Sequence, residues 1–506
     1  MKHDRAGGIL LHPTSLPGPH GSGDLGEEAY RFVDWLESAG QRLWQVLPIG
    51  EVGLGNSPYM SPSSFAGNVL LIDLDRLQHE GWLRAEELHP VPALQPARVD
   101  YPQMRAFRMQ RLLLASGRFF AQPRDPRHED FERFCEVERN WLDDYALFMA
   151  LQHDAHGRTW NEWDGPLARR EPDALRAAAR DRGDALRFWK FCQWNFRLQW
   201  NDLRAHAHRR GVRLVGDLPI FPALQSAEVW VDQPLFELDP QGHPTVIAGV
   251  PPDYFSATGQ RWGNPLYRWS EHEKSGYAWW IERLRALIRL FDIVRIDHFR
   301  GFAAHWEIPA GESTAINGQW RPGPGARLFE ALAAALGDLP VIAEDLGVIT
   351  DDVVELRRRF GLPGMHVLQF AFGSDAANPH LPHRCTPDSV IYTGTHDNDT
   401  AVGWWSSVSG REKRFATSYL GTEGHEIHWD LIRAASSSVA AMTMVPMQDV
   451  LGLDGAHRLN RPGAGSGCWE WRMTASQLKA EDAERLARLA AVHGRCDFFR
   501  AAIDVD

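Results

Sequence analysis

One stretch concentrates groups that could do chemistry: Phe291-Asp292-Ile293-Val294-Arg295-Ile296-Asp297-His298-Phe299-Arg300-Gly301. Its first half is β-branched and apolar, which predicts a buried strand. Its second half gathers Arg295, Asp297, His298 and Arg300. Charged groups at the C-terminal end of an apolar strand suit a barrel enzyme. The flanking arginines are expected to lower the pKa of Asp297 and keep it ionised, as a nucleophilic carboxylate requires. The plain alternative is an Arg–Asp pair that only tethers a strand end. Further acids close other apolar runs: Asp217 after Val212–Val215, Glu344 after Val341-Ile342-Ala343, and Asp397 after Val390–His396. Carboxylates converging on one mouth suit glycosyl transfer or hydrolysis, with one group as nucleophile or base and another as proton donor. Apolar neighbours suit Glu344 to hold a proton at neutral pH. Asp397 could hold sugar hydroxyls and stabilise positive charge in a transition state.

The surrounding pattern supplies the elements that would place these groups. Strands are expected at 8–11, 43–48, 212–217, 291–297, 341–345, 366–372, 390–397 and 441–449, with helices between them. This alternation predicts an α/β fold, a (β/α)8 TIM barrel spanning 1–506 as a single catalytic unit without a separate C-terminal β-domain. Between strands two and three, residues 50–210 read as a mainly helical insertion subdomain, and 220–275 as a loop insertion. The aromatic run from Phe188 to Trp200 reads as helix-packing core rather than binding surface. Gly21-Ser22-Gly23-Asp24-Leu25-Gly26 matches a dinucleotide-binding spacing. It stands too far from the first strand for that use, and is expected to be a helix entry with Asp24 as N-cap.

Composition narrows the classes. The net charge of -12 argues against nucleic acid or an anionic membrane as partner. The five cysteines show no CxxC and read as reduced thiols of a cytoplasmic protein. No signal peptide or apolar run of membrane-spanning length is evident. The 21 tryptophans suit stacking on sugar rings, although many must be core.

Three segments then resemble the acid-bearing motifs of the α-amylase clan: Arg295–Gly301, Ala343-Glu344-Asp345-Leu346-Gly347 and Thr395-His396-Asp397-Asn398. Within the clan, Gly249–Tyr267 (GVPPDYFSATGQRWGNPLY) resembles the 4-α-glucanotransferases of the amylomaltase, or disproportionating enzyme, group. So do Ser57-Pro58-Tyr59, Gly216-Asp217-Leu218-Pro219 and Pro446-Met447-Gln448-Asp449. The resemblance implies a retaining double displacement with Asp297 as nucleophile, Glu344 as acid and base, and Asp397 as third acid. It further implies that Arg295, His298, His396 and Asp217 hold the donor sugar near Tyr59, and that Asn460 meets substrate. Tyr254, Phe255 and Trp262 would wall the acceptor side within the 220–275 insertion. The implied partners are α-1,4-glucans and maltooligosaccharides as donor and acceptor, with no cofactor and no metal. The rival readings are an α-1,4-glucan hydrolase on the same barrel, a non-catalytic glucan-binding protein and, more distantly, a dinucleotide oxidoreductase.

One segment departs from the group. Cys468-Trp469-Glu470-Trp471-Arg472 stands where an Asn-Trp-Arg-Trp-Arg run is expected, which puts the sugar contacts there in question and suggests that Glu470 is a surface or ion-paired residue. His380, His383 and Cys385 have ligand-type side chains but no evident fourth partner, so a zinc site is not expected. His12 and Asp449 are expected at the barrel mouth.

Overall fold

The computed structural model describes residues 4–89, 95–252 and 256–496. In chain order its strands are β1 (Ala6–Leu10), β2 (Leu43–Gln45), β3 (Arg213–Leu218), β4 (Val246–Val250), β5 (Gln260–Pro265), β6 (Ile293–Ile296), β7 (Ala304–Pro309), β8 (Gln319–Pro322), β9 (Val341–Ala343), β10 (Gly364–Val367), β11 (Ser389–Tyr392) and β12 (Met442–Pro446). Eight of them form one parallel sheet in the order β10-β11-β12-β1-β2-β3-β6-β9. The ends meet where the Ala343 N–H donates to the Pro363 carbonyl at 2.9 Å. Beside it, the Met365 N–H donates to Asp345 Oδ1 at 2.7 Å. The result is the expected (β/α)8 barrel. Its strands are largely apolar and buried on both faces, as parallel strands covered by helices must be.

Register decides what the mouth contains. Asp217 lies directly opposite Arg295 across the β3–β6 pair, and Arg295 opposite Ile342 of β9. Because side chains alternate along a strand, Arg295 and Asp297 project to one side while Val294 and Ile296 project to the other. Within the barrel the Tyr392 hydroxyl donates to Gln45 Oε1 at 2.9 Å.

Some strands stop earlier than the sequence suggests. Beyond Val367 the chain winds into a 3-10 turn at Leu368–Phe370, and beyond Pro446 into a helical turn at Met447–Val450. Asp449 therefore sits on a helical turn and not on a strand. Its carboxylate accepts from Thr393 Oγ1 and from the Ala401 N–H. Asp449 lies at the mouth as expected, and there tethers the loop after β11. His12 is also buried there, lining a cavity with Ser15, His396 and Asp449.

Between β2 and β3 the chain is mostly helical, with long helices at Tyr101–Phe120, Arg139–Asp154 and Gly183–Arg209. The aromatic stripe on the last of these is buried: Phe188, Trp189, Phe191, Trp194, Phe196 and Trp200. Trp200 Nε1 reaches the Leu290 carbonyl at 3.0 Å and ties this helix to the barrel. A second sheet, antiparallel in the order β5-β4-β7-β8, rises beside the mouth.

The glycine-rich segment after β1 has a structural use that differs from the expected cap. Gly26 is the N-cap of helix Glu27–Ser38. The Asp24 carboxylate accepts from the Gly26 N–H, and its other oxygen is held by Arg108 at 2.7 Å. Arg108 is fully buried and also donates to the carbonyls of His20, Ser22 and Ile72. It locks the first barrel loop to the helical insertion. Replacing Arg108 by Met would strip the buried Asp24 carboxylate of its guanidinium partner, so a stability loss of about 3–5 kcal/mol is expected. A fall in the urea midpoint checks it.

Candidate active site

The site grows from the β3–β6 register. Arg295 Nη1 contacts both oxygens of Asp217 at 2.8 Å, and Nη2 contacts Asp297 Oδ1 at 2.9 Å. Arg295 and Asp217 are almost wholly buried, whereas 28% of the Asp297 side chain remains accessible. Burial opposes the charge of Arg295, but Asp217 and Asp297 outweigh it and hold the guanidinium firmly cationic. For Asp297 the balance runs the other way. Burial, helped by Asp217 and Asp397, pushes its carboxyl up to about 6 against the pull of Arg295. The expectation of a lowered pKa is therefore corrected. A single guanidinium is shared between two carboxylates, and Arg300 turns elsewhere, to the Val348 carbonyl and the Trp320 ring.

Glu344 follows β9 directly. Its Oε2 accepts from the His298 N–H at 2.6 Å and its Oε1 from the Leu346 N–H at 2.9 Å. The first contact depends on His298 adopting a left-handed backbone at φ +53°, rare for a residue with a side chain. These donors and Arg295 favour the ionised form, yet burial and the neighbouring charge of Asp297 push Glu344 up to about 8. Glu344 thus keeps a proton at neutral pH while Asp297 is largely ionised. That is the division of labour a paired-carboxylate site needs.

Asp397 lies on the irregular segment after β11. Its Oδ1 accepts from Asn460 Nδ2 at 2.6 Å and lies 3.3 Å from His396 Nε2. Arg458 Nη2 adds a bond to the Asp397 carbonyl at 2.8 Å. Asn460 therefore meets the third acid itself.

Tyr59 completes the other wall. Its hydroxyl donates to Asp217 Oδ2 at 2.7 Å, and its ring stacks on His396 at 5.3 Å. The loop that carries it is anchored by a buried carboxylate, since Glu228 accepts from Ser63 Oγ and from the Ser64 N–H. Gly67 in the same loop admits no side chain, because a Cβ there would stand 2.1 Å from the Phe196 ring.

On the opposite side, Trp262 of β5 meets the His298 ring edge to face at 4.9 Å. His298 is held neutral, lowered to about 3 by burial and by Arg300 and His305, and its buried Nε2 has no hydrogen-bond partner among the described residues. Tyr254 and Phe255 lie outside the described residues. The mouth thus brings together Tyr59, Asp217, Arg295, Asp297, His298, Glu344, His396, Asp397 and Asn460, with Trp262 joined through His298.

Sequence reasoning missed two contributors. Trp469 lies 5.9 Å from both Tyr59 and His396, with a left-handed backbone at φ +67°. Its signal was the Trp-x-Trp spacing of the departing segment. Arg458 carried no signal. In that segment Glu470 pairs with Arg98 at 2.6 Å and turns away from the mouth.

The histidines of the 380–385 loop serve locally. His380 Nδ1 accepts from the Val367 N–H, and His383 Nδ1 contacts the Tyr419 hydroxyl. Among the described residues no three His, Cys, Asp or Glu side chains converge as a metal-binding group.

The sequence model of a family described as 4-alpha-glucanotransferase matches residues 11–478. The chain is 49% identical over 498 residues to a 4-alpha-glucanotransferase of Thermus thermophilus, covering 97% of this chain and 99% of that protein. It is 45% identical to a chloroplastic/amyloplastic 4-alpha-glucanotransferase of Solanum tuberosum, covering 97% of this chain and 86% of the other. Among solved structures, the amylomaltase from Streptococcus agalactiae in complex with acarbose superposes with a TM-score of 0.95 at 36% identity, covering 97% of this chain and 100% of that one.

Proposed function

The chain belongs to the 4-alpha-glucanotransferase family and is a glycosyltransferase-type enzyme; we propose that Asp297, Glu344 and Asp397 carry its reaction, a retaining double displacement on α-1,4-glucans. Asp297 attacks the anomeric carbon as the glycosidic C–O bond breaks. The Glu344 proton passes to the departing oxygen, and a covalent glucosyl ester remains on Asp297. Glu344, now ionised, takes the proton from an acceptor hydroxyl. That hydroxyl attacks the same carbon, releases Asp297 and restores the original anomeric configuration. Asp397, oriented by Asn460, stabilises the positive charge that develops on the ring in both steps.

The observation that carries this reading is the asymmetry between two neighbouring strand ends. Asp297 faces the Arg295 guanidinium, while burial of Glu344 beside the charge of Asp297 outweighs the amides of His298 and Leu346 that bond it, so Glu344 keeps its proton to higher pH. Transfer prevails over hydrolysis when an acceptor hydroxyl is held in place and water is displaced. Trp262 against His298 supports such a wall, and we assign Tyr254 and Phe255 to it as well. Maltooligosaccharides serve as both donor and acceptor. The free thiols of all five cysteines support a cytoplasmic setting.

Incubation with maltotriose tests the activity. Glucose together with chains longer than maltotriose is expected. Glucose and maltose alone would make the protein a hydrolase, and unchanged maltotriose would leave it a binding protein.

A further inference from the structure

Two exposed apolar side chains flank Arg300 in the loop after Asp297: Trp320 and Val348, at 39% and 61% exposure. Trp320 belongs to β8, the outer edge of the antiparallel sheet, and lies directly opposite Trp306 of β7. The two indoles meet at 5.2 Å and 69°. Strand alternation sends Gln319 and Arg321 to the other side, where both bond Glu307. Arg300 supports Trp320 from within, its guanidinium 3.8 Å from the ring centroid. Arg300 is itself 6% exposed, and its Nη1 donates to the Val348 carbonyl.

This arrangement ties the indole to both acid-bearing loops. Arg300 stands in the turn Phe299–Phe302 that follows Asp297 and His298. Val348 lies in the segment that follows Glu344. The sheet that carries Trp320 also carries Trp262, which touches His298. Trp320 and Trp262 thus stand on the two opposite edge strands, β8 and β5, of one sheet that flanks the catalytic mouth. A large aromatic ring backed by a buried arginine is held rigid, at little further entropy cost on binding. Its free surface has the chemistry that stacks on the apolar faces of glucose rings.

We propose that Trp320, backed by Arg300 and rimmed by Val348, is an outer glucan-binding subsite that holds the distal glucose units of a long acceptor. A short acceptor ends before reaching it. This inference rests on the transferase reading and adds a chain-length preference to it.

The test compares acceptors against one common donor. In wild type, transfer to glucose reports the transferase reading by itself. For Trp320→Ala the acceptor KM for maltoheptaose, divided by that for glucose, is expected to rise about fivefold, the scale of one lost aromatic stacking contact. Trp320→Phe should restore most of the ratio. Direct titration of maltoheptaose into Trp320→Ala carrying Asp297→Asn, against Asp297→Asn alone, should show a matching loss of affinity. Should Trp320→Ala not fold, Val348→Glu at the exposed rim is expected to raise the same ratio. A ratio within twofold of wild type in a folded variant would overturn the subsite and leave the transferase reading intact. Absence of transfer to glucose by wild type would overturn the transferase reading, and with it the acceptor role of Trp320.

Discussion

Asp297→Asn is expected to lower transfer by about 10,000-fold or more, the scale of loss when the attacking group of a covalent catalyst is removed. The amide is nearly isosteric with the carboxylate but carries no charge and cannot form the glucosyl ester. Arg295 keeps both contacts to Asp217, so the buried guanidinium is not stranded. Removing the charge of Asp297 also takes away one of the influences that raise Glu344, whose pKa should therefore fall in the variant. Stability should not suffer. Burial raises Asp297 from an ordinary 3.8 to about 6, so the folded state binds its proton more tightly than the unfolded chain does. Its ionisation therefore destabilises the fold as pH climbs through that window, and the loss is complete above it. A neutral Asn relieves that cost. The variant should melt at or above the wild-type temperature at neutral pH, while time courses with maltotriose show no longer products. Retained turnover would move the nucleophile elsewhere.

Glu344→Gln should be nearly as damaging with natural glucans, because glutamine cannot protonate the departing oxygen. A loss of about 100- to 10,000-fold is expected from removing a general acid. A donor with an activated leaving group, such as an α-maltosyl fluoride, needs no such proton, so formation of the glucosyl ester should survive the substitution. The pH profile separates the two acids. In wild type, kcat/KM should fall above about 8 as Glu344 loses its proton, and below about 6 as Asp297 gains one. With the activated donor, Glu344→Gln should lose the alkaline limb and keep an acidic one. An alkaline limb that persists in this variant would mean that another group supplies the proton.

Local patterns carried most of the fold. The strand positions were legible because a parallel barrel buries both faces of each strand, leaving short apolar runs such as Val341-Ile342-Ala343 between helices of period 3.6. Acids directly after such runs, as with Asp297 and Glu344, point to the mouth by chain direction alone. The aromatic stripe from Phe188 to Trp200 was readable as core for the same reason of period. Strand ends were less legible where an apolar run continues into another conformation, as at Leu368–Phe370 and Met447–Val450. No local signal separates a strand from the helical turn that extends it.

What the sequence determined by itself was therefore the barrel, the acids at its strand ends and the chemistry open to paired carboxylates, because each follows from neighbours along the chain. Tertiary structure decided the rest. Asp24 turned from a helix cap to the partner of Arg108, and Asp449, expected at the barrel mouth, proved to tether the loop after β11 there. Arg300 became the support of Trp320 instead of a neighbour of Asp297. The pKa of Asp297 moved up where the flanking arginines suggested down. Each of these depends on competition in space. A guanidinium or carboxylate has a few bonds to give, and which partners take them, and how much water is excluded meanwhile, is set by segments far apart in the chain.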